Sequence, residues 1–175
     1  MRRIHNIRMA VFFVALMAAW LGLAVSTALA AKVQIPEGTE VKVKFPANLK
    51  ISSGVIGEGI PLLFYLHEDI TIGGKVIVEK GAEGTASVTE SVKASKPGKP
   101  GKITLEFVDL APKGPFNTLD ESRIKLTGSI TEEGGGKKIL SYLFIFGLFI
   151  KGGQGEISPE QIYTATVAES VILED

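Results

Sequence analysis

Apolar and polar residues alternate with a period of two in several short stretches, the mark of strands with one buried face. Val41, Val43 and Phe45 alternate with Glu40, Lys42 and Lys44. Ile103, Leu105 and Phe107 alternate with Thr104 and Glu106, and Ile124, Leu126 and Ile130 with Arg123, Lys125, Thr127 and Ser129. Pro61–His67 and Lys75–Val78 are more evenly apolar, which predicts strands covered on both faces. Between them, Ile72-Gly73-Gly74-Lys75 supplies the residues of a tight hairpin turn. The last strands are expected over Ile162–Val167 and Ser170–Leu173. Glycine and proline punctuate these runs throughout, so the pattern suits a single small β-barrel or sandwich better than βαβ units. The expected class is all-β.

Two stretches break the rhythm. Lys93–Lys102 is a basic Pro/Gly segment that cannot pair in a sheet centre, and reads as a solvated loop joining two strands. The second is an apolar insert at about 137–153. Lys137 and Lys138 lead into Ile139–Ile150, and Lys151-Gly152-Gly153 closes it. As a helix its twelve residues would extend about 18 Å, short of a hydrocarbon core of ~30 Å. It is therefore a short helix or a hairpin rather than a straight span. Leu140, Tyr142, Leu143, Phe144, Phe146, Leu148 and Phe149 leave no face polar enough for ordinary exposure. Such a segment is either core, as a long strand bent at Gly147 with a second strand after it, or an interface. Flanking lysines suit shallow insertion at lipid headgroups and equally the ends of a buried element.

The first thirty residues read as an address. Arg2, Arg3 and Arg8 precede the uncharged run Ala10–Val25, and Ala28-Leu29-Ala30 closes it with small residues. A signal peptide over 1–30, cut after Ala30, is expected, which puts the domain 31–175 in the periplasm or at the outer envelope. The competing reading is a retained inner-membrane anchor.

Charge and composition narrow the chemistry. After the leader, 16 basic residues face 19 acidic ones, which argues against a nucleic-acid partner. Absence of cysteine excludes disulfides, thiolate metal sites and a cysteine nucleophile. His67 is the sole histidine after the leader, so it makes no multi-histidine metal site. Asp69 or Glu68 beside it would complete a triad in name only, since no Gly-x-Ser-x-Gly elbow occurs. Gly134-Gly135-Gly136-Lys137-Lys138 lacks the glycine spacing and the Ser/Thr of a phosphate loop. The acidic pairs Glu68-Asp69, Asp120-Glu121 and Glu132-Glu133 lack the alternating spacing of a calcium loop. No catalytic residue, metal or cofactor is expected, and the protein is read as non-enzymatic.

Ile35-Pro36-Glu37-Gly38-Thr39 is echoed by Val78-Glu79-Lys80-Gly81-Ala82 and more loosely by Ile157-Ser158-Pro159-Glu160-Gln161. These are expected to be strand–corner–strand turns, with Gly38, Gly73, Gly74 and Gly81 as structural turn residues. The order Ile35–Thr39, Ile51-Ser52-Ser53-Gly54, Gly74–Ala82, then Ile103–Leu110 with Lys113-Gly114, resembles the C-terminal β-barrel domain of TrbI-like scaffold proteins of type IV secretion and conjugation machines. The resemblance covers about Val33 to Val167. It implies the barrel fold, with a late insertion that in those proteins reaches the outer membrane. The chain lacks their cytoplasmic segment and long proline-rich spacer, and its insert is too short for two spanning helices.

Two functions remain open. One is an envelope structural or interaction module whose insert meets a membrane surface, an envelope protein or another copy of the chain. The other is a small barrel that holds an apolar ligand or lipid, with Phe64 and Phe107 lining the interior.

Overall fold

The structure is a computed structural model that describes residues 31–120, 122–135 and 152–175, all in the compact unit Ala31–Asp175. The chain forms β1 (Lys32–Ile35), β2 (Glu40–Lys44), β3 (Ile51–Ser52), β4 (Pro61–Leu66), β5 (Ile70–Ile72), β6 (Lys75–Val78) and β7 (Glu83–Val92). There follow β8 (Lys102–Leu110), β9 (Asn117–Thr118), β10 (Ile124–Thr127), β11 (Ser129–Glu133), β12 (Glu156–Ile157), β13 (Tyr163–Val167) and β14 (Val171–Glu174). All pairings are antiparallel.

Six strands close into a small barrel in which spatial order follows chain order. β2 pairs β4, β4 pairs β7 and β7 pairs β8. β10 and β11 both pair β8, β10 also pairs β13, and β13 returns to β2. β10 and β11 act as one strand bent at Gly128. That residue has φ +120°, and its carbonyl accepts from the Phe107 N–H at 3.0 Å. The sequence reads Ile124–Ile130 as one uninterrupted alternation. The bend keeps its inward phase while turning the strand from β13 towards the far end of β8.

Alternation decides what fills the barrel. Val41, Val43 and Phe45 meet Leu62, Phe64 and Leu66, then Ala86 and Val88, Ile103, Leu105 and Phe107, Ile124, Leu126 and Ile130, and Tyr163, Ala165 and Val167, all buried. Interiors of such narrow barrels are filled by side chains. Phe64 sits at the centre, edge-on to Phe107 at 5.4 Å and to Phe45 at 6.3 Å, with Tyr163 5.8 Å from Phe45. The space for Phe64 comes from β7, where Gly84 lies opposite it in register. A Cβ on Gly84 would overlap the Phe64 ring.

Pro61–His67 and Lys75–Val78 are not covered on both faces. Leu63 is 41% exposed and Val76 38%. In an antiparallel meander only the inward face needs burial, and the outward face tolerates scattered apolar residues.

Strand direction sorts the connections to two poles. The β1–β14–β9 sheet, the β5–β6 hairpin and the corner at Gly38 gather at one pole, where Ile35, Ile77, Phe116 and Leu173 are buried. Ala31 and Asp175 lie there too, since β1 runs against β14 and the Ala31 N–H donates to Asp175 Oδ1 at 2.6 Å. The opposite pole carries the 46–60 connection, the β7–β8 loop and the chain on either side of 136–151.

Candidate docking pole

The pole opposite the termini is built around the two ends of the apolar insert. β11 delivers Gly134 and Gly135, and the chain resumes at Gly152 heading for β12. Gly153 donates its N–H to Gly135 O at 3.0 Å, Gly134 to Gly101 O at 2.8 Å, and Gly101 to Gly153 O at 2.8 Å. These bonds form a closed stem that holds Gly134 and Gly135 beside Gly153. The backbones approach so closely that a Cβ at Gly134 would overlap the carbonyl of Gly153, and one at Gly155 that of Glu132.

A buried polar cluster fastens the stem to the barrel. Ser53, 5% exposed, donates from Oγ to Gln154 Oε1 at 2.8 Å, accepts from the Gly155 N–H at 3.1 Å, and donates its own N–H to Gly155 O at 3.0 Å. Gln154 Oε1 also accepts from the Ala94 N–H at 3.0 Å. Buried polar groups must be paired in this way. The Ser53 hydroxyl proton is thus directed at an amide oxygen, which is not a base.

The β7–β8 loop is tied to the same stem. Ser95 and Lys99 exchange backbone hydrogen bonds at 3.1 and 3.0 Å around the cis Lys96–Pro97 bond. Ala94, Gly98 and Gly101 are buried, while Lys93, Lys96 and Lys99 are exposed. Lys93–Lys102 is therefore not simply a solvated loop: its lysines face water, but its small residues are packed against the stem. Lys102 pairs with Glu90 at 2.6 Å. Beside the stem, a groove of about 600 Å³ runs between Asn48–Ile51 and Glu156–Pro159. Tyr163 donates to the carbonyl of Ser158, one of the groove's lining residues, at 3.0 Å. Burial, reinforced by the charge of Glu132, raises the Tyr163 pKa.

Leu140, Tyr142, Leu143, Phe144, Phe146, Leu148 and Phe149 lie outside the described residues. Of the turn glycines, Gly38 and Gly81 have φ of +78° and +81°, and Gly73 and Gly74 of +57° and +81° at the tip of the β5–β6 hairpin. All four are remote from the stem. Gly38 donates to Val167 O and Gly81 to Leu66 O, so both hold strand connections. His67 lies just past β4, half-buried, and donates its backbone N–H to Lys42 O. Asp69 receives the Lys80 N–H at 2.6 Å. Asp120 accepts from Ser122, which lowers its pKa. Among the described residues no three His, Asp or Glu side chains gather as a metal site, and no helix is long and apolar enough to cross a membrane. Phe64 and Phe107 line the barrel interior and pack against each other.

Ser53, Gln154, Gly101 and Gly155 were not singled out by sequence. The density of glycine on both sides of the insert was the available signal. Comparison with protein-family profiles, curated proteins and solved structures returns no match.

Proposed function

We propose that this protein is an exported, non-enzymatic module of the cell envelope, a barrel that presents its apolar insert at one pole to a membrane or an envelope partner. The closed stem carries this reading. The barrel completes its ring of strands among the described residues, which supports reading the apolar sequence of 136–151 as an addition to the core. A stretch rich in Leu, Phe and Ile that the core does not need is the composition of an interface. The edge-to-face packing of Phe45, Phe64 and Phe107 supports docking over storage of an apolar ligand inside the barrel, since a ligand barrel keeps its interior open. Export follows from the leader-like first thirty residues. The TrbI-like resemblance enters the proposal as a barrel with a late insertion, without the secretion machine.

The test replaces Leu143, Phe146 and Phe149 together with serine. Cells expressing the parent should hold the protein in the envelope fraction with its chain starting at Ala31, while the variant moves to the soluble fraction with an unchanged melting temperature. Equal distribution of the two proteins refutes docking by the insert. Loss of the fold in the variant assigns the segment to the core.

A further inference from the structure

The lysines of the β7–β8 loop stand out because the loop is both cationic and braced. Lys93, Lys96 and Lys99 are exposed on a turn held by the Ser95–Lys99 backbone pair, by Gln154 at Ala94, and by the buried Gly98. Neither Lys93 nor Lys99 has an acidic partner among the described residues. Two of the acids at this pole, Glu90 and Glu58, are engaged. Glu90 is held by Lys102, Glu58 accepts the Ser91 N–H at 3.2 Å, and Glu132 is near enough to Tyr163 to raise its pKa. Free cations on a rigid turn therefore sit directly against the stem, since the Ser95 carbonyl accepts from Gly152 at 3.5 Å. Gly152 directly follows Lys151, the residue that ends the apolar sequence.

We infer that Lys93 and Lys99 form a docking face for anionic lipid headgroups, which sets the partner of this pole as a negatively charged bilayer surface. The inference rests on the docking reading above and deepens it. Charge complementarity argues for lipid over protein: a flat anionic surface attracts each nearby lysine without needing a matched partner for it. A protein partner would need acids placed opposite a turn that is fixed in one shape. A braced turn also loses little freedom on contact, which favours binding.

The experiment measures co-sedimentation of the full chain with phosphatidylglycerol-containing vesicles and with pure phosphatidylcholine vesicles. Variants are K93Q/K99Q, the charge-keeping K93R/K99R, and the insert serine variant. The parent should bind only the anionic vesicles, and less as salt rises from low to physiological strength. K93Q/K99Q should partition about thirtyfold more weakly, K93R/K99R should match the parent, and all should melt alike. Equal binding of the parent to both vesicle types overturns the inference while leaving docking by the insert intact. Unchanged binding by K93Q/K99Q overturns it too, as does no binding by the parent to either vesicle. If the serine variant still binds anionic vesicles through its lysines, the insert reading fails and this one stands.

Discussion

Replacing Gly84 with alanine tests the packing that makes the barrel interior solid. The added Cβ would overlap the Phe64 ring and lie 2.8 Å from the carbonyl oxygen of Asp109. Phe64 is fully buried and cannot swing aside, because Phe107 and Phe45 meet its edges at 89° and 80°. Overpacking costs about 1–3 kcal/mol, and each disturbed ring pair a further ~0.5–1.5 kcal/mol. The expected loss is about 3 kcal/mol, which moves a urea midpoint down by roughly 1–2 M. A second variant separates the ring from the strand. In Phe64→Leu the obstructing atoms are gone, so the double variant Gly84→Ala, Phe64→Leu should be more stable than the sum of the single losses by at least ~1 kcal/mol. Urea unfolding followed by circular dichroism gives all four values. A Gly84→Ala midpoint within about 0.3 M of the parent, or strictly additive losses, would show that β7 yields and that the rings do not pin it.

Gly81→Val should cost more than ~1 kcal/mol, since φ +81° strains any side chain and the new atoms would meet Lys113; a melting curve unchanged from the parent would refute the corner reading. Tyr163 predicts alkaline sensitivity. Folding raises its pKa above the ordinary 10.0, so the unfolded chain releases the proton first. Its contribution is complete below about pH 10 and is lost as pH climbs through the folded value. Tyr163→Phe should cost about 1 kcal/mol at neutral pH through the lost bond to Ser158 and flatten the decline in melting temperature above pH 10.

Much of the barrel was legible because its strands obey a plain rule, large apolar residues inward and charged ones outward. β2 and β8 follow it along their length. β7 was legible only as a strand without bounds between the Gly81 corner and the Lys93–Lys102 loop, for the same physical reason that makes the core work. Its inward residues, Gly84, Ala86 and Val88, are small so that Phe64 and Phe107 can be large, and small residues carry little hydrophobic signal. Outward Thr85, Ser87 and Thr89 were the remaining clue, as β-branched and hydroxyl residues at alternate positions. β4 misled in the other direction, since Leu63 and Tyr65 look like core although they face out. The stem left almost no trace in the sequence, because backbone-to-backbone contact is made by residues without side chains. Ser53 and Gln154, about a hundred positions apart, meet only once the barrel has brought β3 and β12 together.

Holding Ala31 and Asp175 at one end gives the domain a direction. A chemical tether attached at Asp175 joins the domain at its base, at the pole away from the lysine turn. A protein held by its base would present its lysine turn outward in a uniform sense, and the same molecules scattered in solution would not. Orientation of that kind turns a weak single contact into a cooperative one when many copies are arrayed side by side, because each captured surface is already positioned for the next.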